Sequence, residues 1–163
     1  MPESFVIEAD GGSRGNPGPA GSGCVILDET GQVLVEIARF VGIATNNVAE
    51  YLGLISGLEW ILENSPDARV HVRMDSKLVV EQMSGNWKIK HPDMQQLAIR
   101  ANALASQLVV SYQWIPREQN SRADALANRA MDEGADRVTI PPAKIASVAT
   151  EFNDVRPSSV RSP

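Results

Sequence analysis

The stretch FVIEADGGSRGNPGPAGSGCVIL, residues 5–27, decides the fold. Alternation over residues 4–10 sets Phe5, Ile7 and Ala9 on one side and Val6, Glu8 and Asp10 on the other, the period of a half-buried strand. Asp10 ends that run, glycines and prolines follow, and apolar alternation resumes at Cys24. The pattern predicts a strand that carries a carboxylate to its own end and then opens into a loop.

Working outward, a second strand over about 22–28 meets a third over about 32–41 across the turn DETGQ, which makes a meander. The period then changes. In TNNVAEYLGLISGLEWILENS, Val48, Leu52, Ile55, Leu58 and Leu62 recur at helical spacing, with Thr45, Asn46 or Asn47 available as the cap. ARVHVRMDS, 68–76, reads as a fourth strand, and it too ends in an acid, Asp75. A short helix over about 76–84 stops at Gly85, NWKIKHP is a loop, and 93–107 is another helix. LVVSYQWIP is the fifth strand, and NSRADALANRAMDEG, 120–134, the last helix, with Ser121 as cap and Gly134 as stop. The order βββαβααβα predicts an α/β fold: a mixed five-stranded sheet with helices on both faces. Residues 1–137 form the expected domain. From 138 onward, prolines and scattered small residues without period predict a flexible tail or linker, possible lead-in to a further domain.

Composition bounds the function. With 43% hydrophobic and 21% charged residues in 163, the chain reads as one globular domain with a buried core. It has neither a membrane-length apolar run nor the design of a signal peptide, so no membrane partner and a cytoplasmic address are expected. Cys24, the single cysteine, forms no internal disulfide and reads as a buried strand thiol. A net charge of −5 excludes a polycation that coats nucleic acid in bulk, although a carboxylate-rich metal site would itself make the sum negative.

Asp10 and Asp75 share a position type, the strand end. If their strands are parallel neighbours, both acids emerge at one rim, where ligands of open α/β sheets bind. Glu50 is expected in the first turn of its helix and Asp124 in the first turn of the last one, both able to lean toward that rim. Taken singly, each has an ordinary role: a strand-end Asp starts a turn, and an acid steadies a helix N-terminus, with SRAD even resembling a capping box. The set is what matters. Four clustered carboxylates would repel and raise one another's pKa unless divalent cations cancelled the cost. Mg²⁺, with Mn²⁺ as alternative, suits such oxygen ligands, and two ions roughly 3.5–4 Å apart can activate water and stabilise a phosphodiester's leaving oxygen. His71 and His91 are the only histidines, so zinc is not expected.

DGGSRGNPGPAG after the first strand, TNNVAEYLGLISGLE on the first helix, MDSKLVVEQ at strand four and NSRADALANRA on the last helix resemble ribonuclease H of its type I branch, in the family's order over about residues 4–134. The resemblance implies an endonuclease that cuts the RNA strand of an RNA–DNA hybrid and leaves 5′-phosphate and 3′-hydroxyl ends. It implies that Asp10, Glu50, Asp75 and Asp124 are the catalytic, metal-binding acids. One metal would sit on Asp10 and Asp124, the other on Asp10, Glu50 and Asp75. The loop Gly11, Gly12, Ser13 and Arg14 would lie against the hybrid's minor groove, its glycines letting backbone approach nucleic acid. Asn16 and Thr45 match positions that hold a DNA phosphate, and Asn46 one that bonds RNA 2′-hydroxyls, the group that tells RNA from DNA. By their own chemistry Trp87, Lys88 and Lys90 are either a solvated loop with its Trp packed down or a flank for a DNA strand whose phosphates the lysines neutralise, and Lys77 could touch backbone as well. Trp60 and Trp114 read as core residues.

The chain departs from the family in two places. Only GNWKIKHPD joins the middle helices, where many members carry a longer basic insertion, so this is a short form expected to have a weaker grip on hybrid or help from another domain. No histidine precedes the last acid in WIPREQNSRAD, and Arg117, which can contact phosphate but is no base at neutral pH, is the nearest substitute. A monomer is expected. The alternatives are a DNA-acting nuclease or transferase of the same fold, which TNNVAEY argues against, and a non-catalytic hybrid-binding module, which gains nothing from clustered acids.

Overall fold

A computed structural model describes residues 3–141. Six strands and four helices follow one another as β1 Ser4–Ser13, β2 Gly18–Asp28, β3 Val33–Ala44, α1 Asn46–Asn64, β4 Arg69–Met74, α2 Lys77–Met83, α3 Pro92–Ala105, β5 Val109–Trp114, α4 Ser121–Glu133 and β6 Arg137–Thr139. They form one mixed sheet in the order β5-β4-β1-β2-β3-β6, with β1 parallel to β4, β4 parallel to β5, and the remaining pairs antiparallel.

Strand alternation sorts the core into two layers. Phe5, Ile7 and Ala9 of β1, Cys24 and Ile26 of β2, and Val70, Val72 and Met74 of β4 pack with Tyr51, Leu54, Ile55 and Leu58 of α1 and with the buried sides of α2 and α3. The opposite faces of β2 and β3 give Val25, Leu27 and Ala38 to Leu126 and Ala130 of α4. β2 is thus apolar on both faces because both are covered. Cys24 is buried, as its strand position predicts, and burial pushes its thiol pKa up. Trp60 packs partly buried against the first layer, also as expected.

The open loop expected after Asp10 is mostly sheet. Asp10 is not the last strand residue: Gly11, Gly12 and Ser13 continue in register with Ser22, Gly21 and Ala20, and only residues 14–17 turn. Glycine hides this from a reading of side-chain alternation. The glycines are there for helix packing. A Cβ on Gly11 would collide with the α1 backbone at Ala49, and one on Gly23 with the α4 carbonyl of Ala123. β6, the strand beyond the expected five, pairs its Ile37-opposed Val138 with the free edge of β3, so pairing continues past the boundary expected at 137. The tail reading beyond residue 141 lies outside the described residues. Among the described residues, no helix is long and apolar enough to cross a membrane.

Candidate active site

The parallel register Ala9↔Met74 puts the next residues, Asp10 and Asp75, side by side at one rim of the sheet. α1 and α4 bring two more acids there. Asp10, Glu50, Asp75 and Asp124 all line a single cavity of about 570 Å³. Glu50 follows the Thr45 cap by five residues, so it stands in the second turn of α1 and not the first; no acid occupies that first turn. Asp124 is in the first turn of α4, but the capping box expected in SRAD is absent: the cap residue is Asn120, and it makes no side-chain cap bond.

The Asn120 amide is used elsewhere. Buried to 1% exposure, its Nδ2 donates to the Ala9 carbonyl at 2.9 Å and to Asp75 Oδ1 at 2.7 Å. One side chain therefore ties β1, Asp75 and α4 together, and its Oδ1 has no protein partner. Ser76 acts similarly for Glu50. Its hydroxyl caps α2 at Val79 and hydrogen-bonds the Glu50 carboxylate.

Burial and crowding raise proton affinity. Asp10 is pushed up to about 8, first by burial, next by the charge of Asp75, with Asp124 and Glu50 adding to it and the Gly11 amide opposing it. Glu50 is pushed up to about 7, mainly by burial and further by Asp75, against the Ser76 bond. Such groups need positive charge to stay ionised. The donor set fits a hard divalent cation: only carboxylate oxygens, with neither His nor Cys in the cavity lining. Among the described residues, however, no three acids are gathered closely enough to hold an ion as they stand.

Around the acids, the cavity wall includes Gly11, Gly12, Ser13, Arg14, Asn46, Lys77 and Arg117. Asn46 Oδ1 accepts from the Ser13 amide at 2.7 Å and its hydroxyl at 3.1 Å, which leaves the Asn46 side-chain N–H groups free to donate outward. Asn16 and Thr45 stand behind it and not on the wall. Asn16 Oδ1 accepts from the Asn46 amide at 3.0 Å, and Thr45 caps α1 by accepting from Val48. Arg14 reaches across to Asp132 at 2.6 Å and Asn128 at 3.4 Å. Trp87 and Lys88 are exposed in the loop before α3, away from this cavity.

Trp114 is not in the core. Its side chain is on the same strand side as Val110 and Tyr112, but it lies at the strand's end and stays 44% exposed. Its Nε1 donates to the Asp75 carbonyl at 3.2 Å, and Lys77 Nζ lies 5.5 Å from its ring centroid. Trp114, Asn120 and Ser76 were the site residues that sequence missed. For Asn120 a signal existed: an Asn four residues before an acid at a helix start.

Comparison with known proteins agrees with this geometry. The family described as reverse transcriptase-like matches residues 8–130. A bifunctional protein of Mycobacterium tuberculosis is 55% identical over 150 residues, 90% of this chain, and the chain spans only 40% of that relative's length. The solved N-terminal RNase H domain of the same-named mycobacterial protein, fused to maltose binding protein, superposes with a TM-score of 0.77 at 56% identity, covering 80% of this chain and 95% of that one. Ribonuclease HI of Halobacterium salinarum is 42% identical over 76% of this chain and 62% of its own length. LC11-RNase H1, solved in complex with RNA/DNA hybrid, matches with a TM-score of 0.76 at 44% identity over 80% of this chain and 98% of its own.

Proposed function

We propose, since this chain belongs to the ribonuclease H family, that it hydrolyses the RNA strand of RNA–DNA hybrids in a divalent-metal-dependent reaction. The observation that carries this reading is the arrival of four carboxylates from four separate elements at one cavity. Asp10 and Asp124 would hold one ion, and Asp10, Glu50 and Asp75 the other, Mg²⁺ or Mn²⁺. When bound, such ions activate water and stabilise the leaving 3′-oxygen, so that a P–O bond to water forms as the P–O3′ bond breaks. The products carry 5′-phosphate and 3′-hydroxyl ends.

The rest of the wall supplies binding. Asn46, its carbonyl oxygen spent on Ser13, donates its amide to ribose 2′-hydroxyls, and Gly11–Arg14 offer a low wall to the minor groove. Asn16 and Thr45 fix the backbone around Asn46 and reach phosphate at the cavity's margin. Lys77 and Arg117, both exposed, attract the scissile strand's phosphates, while Trp87 and Lys88 extend contact along the DNA strand. With its short link between the middle helices and Arg117 in place of a loop histidine, the chain is a short type I member whose product release depends on Arg117. It acts as a cytoplasmic monomer. The catalytic domain is residues 1–137, extended by the end of β6, and the greater length of the mycobacterial relative supports a linker beyond it leading to a further domain.

The test is cleavage of an RNA-labelled hybrid with Mg²⁺, Mn²⁺ or chelator, beside duplex DNA and duplex RNA, with Asp75→Asn as control. Metal-dependent loss of the hybrid's RNA alone, abolished by Asp75→Asn, is expected. Hybrid that stays uncut yet binds equally well in chelator would overturn the nuclease reading in favour of a binding module.

A further inference from the structure

Glu8 has no part in the chemistry above, yet it is a buried charge, only 3% exposed. Its carboxylate takes the Arg122 fork, Nε to Oε1 at 3.2 Å and Nη2 to Oε2 at 3.1 Å, together with Arg73 Nη1 at 3.4 Å. Arg73 continues to the Gln119 side chain at 3.3 Å. Glu8, Arg73 and Arg122 stand on β1, β4 and α4, and each precedes an acid of the cavity by two positions: Asp10, Asp75 and Asp124. Three elements that must present carboxylates to a common point are thus joined by one ionic knot just behind them.

A buried ion triad is a poor source of stability, because desolvation offsets most of the attraction; its best-attested use is to fix one arrangement among several. Here there is something to fix. α4 meets the sheet through small residues, Ala123 and Ala127 resting over Gly21 and Gly23. Leu126 and Met131 are the larger side chains that pack beside this close backbone contact, and both are apolar, so they set depth more sharply than direction. A bidentate guanidinium–carboxylate pair constrains both distance and orientation. Its arginines keep part of their surface in water, at 29% and 47% side-chain exposure, so the cost falls mainly on Glu8.

We propose that Glu8, Arg73 and Arg122 form a positioning network that holds β1, β4 and α4 at the spacing the acids need to take up divalent cations. The inference rests on the metal-dependent reading above. The carboxylates repel one another, so what stands behind them sets how closely they can be brought together when a cation arrives.

The experiment is a calorimetric titration of Mn²⁺ into the full chain without hybrid, beside thermal unfolding in chelator and the metal dependence of hybrid cleavage. The variants are Glu8→Gln, Arg122→Gln and the two together, with Arg129→Gln as control. Arg129 is on the same helix and pairs with Glu133 on its surface, so its loss changes net charge as Arg122→Gln does, without touching the knot, while the double variant leaves net charge unchanged. Outer partners of metal ligands typically contribute roughly 10–100-fold in affinity. We expect Glu8→Gln and Arg122→Gln each to weaken Mn²⁺ binding toward the lower end of that range, about tenfold, and to shift the metal needed for cleavage by the same factor. The double variant should be no worse than the singles, since the groups act as one unit, and Arg129→Gln should bind as wild type does. If Glu8→Gln does not fold, Arg122→Gln, altered on an exposed helix side, still decides. Isotherms of wild type and Arg122→Gln that coincide while the unfolding midpoint drops would overturn the inference and leave the nuclease reading intact. A wild-type chain that takes up no Mn²⁺ and cuts no hybrid would remove both.

Discussion

Asn120 forgoes capping its own helix, a bond typically worth about 1 kcal/mol, to bond the Ala9 carbonyl and the Asp75 carboxylate. Asn120→Ala leaves a buried carbonyl unpaired, which predicts a loss of about 1–3 kcal/mol in urea unfolding and a drop of roughly 10–100-fold in cleavage rate as Asp75 loses its holder. Asn120→Asp should differ from it in kind. A further carboxylate facing Asp75 makes this variant the less stable of the two in chelator, and added Mg²⁺ should recover more of its unfolding free energy than it does for Asn120→Ala. Arg117, exposed on the cavity wall, belongs to binding: Arg117→Ala should raise KM and make the salt dependence of hybrid binding shallower by about one charge. Asp75 and Asp124 were legible from position, because a strand end and a helix start advertise themselves, whereas Asp10, three residues short of its strand's end, and Glu50, in the second turn of α1, were singled out by the motifs around them. Trp114 was not, and Asn120 only as an Asn before a helix-start acid, since what each bonds depends on which distant backbone comes to rest beside it.

Among elements, β1 and β2 show why a glycine-rich segment misleads. Side-chain alternation stops at Asp10, yet pairing runs on to Ser13, because backbone hydrogen bonds need no side chains. The glycines divide into two kinds. Gly23 faces α4 so closely that a methyl would strike the Ala123 carbonyl, whereas Gly12 has ordinary room, with Met131 Cε at 3.7 Å and Asn46 Oδ1 at 3.9 Å. Gly23→Ala should therefore destabilise the fold by about 1–3 kcal/mol, as overpacking does, and displace the helix that carries Asp124. Gly12→Ala should leave the unfolding midpoint within about 0.5 kcal/mol, the usual range away from such features, and weaken hybrid binding instead. Equilibrium unfolding and binding titrations on the two variants check both halves. β6 was illegible for the opposite reason. Its three residues are all exposed and carry no periodic signal, and the unpaired edge of β3 creates it.

For the whole molecule, pH and metal are linked through the raised acids. Asp10 at about 8 and Glu50 at about 7 bind protons in the folded chain over a range where the unfolded chain, with ordinary carboxylates, has released them. Their contribution to stability is therefore fully present below about pH 4 and is lost as pH rises toward 8. In chelator, wild type should lose stability across that window relative to Asp10→Asn, which lacks the group. Mg²⁺ binds the ionised form, so the stabilisation it gives should grow over the same window. Thermal midpoints at pH 5, 6.5 and 8, with and without Mg²⁺, measure this directly; a wild-type curve parallel to that of Asp10→Asn in chelator would contradict it. The fold's order of elements and the convergence of acids could be read from the chain, but their unequal proton affinities depend on burial and so on the folded packing.

The cavity draws Asp10 from the first strand and Asp124 from the last helix. A ribosome makes these in that order, so between residues 75 and 124 of its synthesis a nascent chain carries Asp10, Glu50 and Asp75 without their fourth companion. On the proposed nuclease reading, cutting ability would then arrive late and all at once, when α4 clears the exit tunnel and docks. An unfinished copy, or one truncated before residue 124, would be harmless to any hybrid it met.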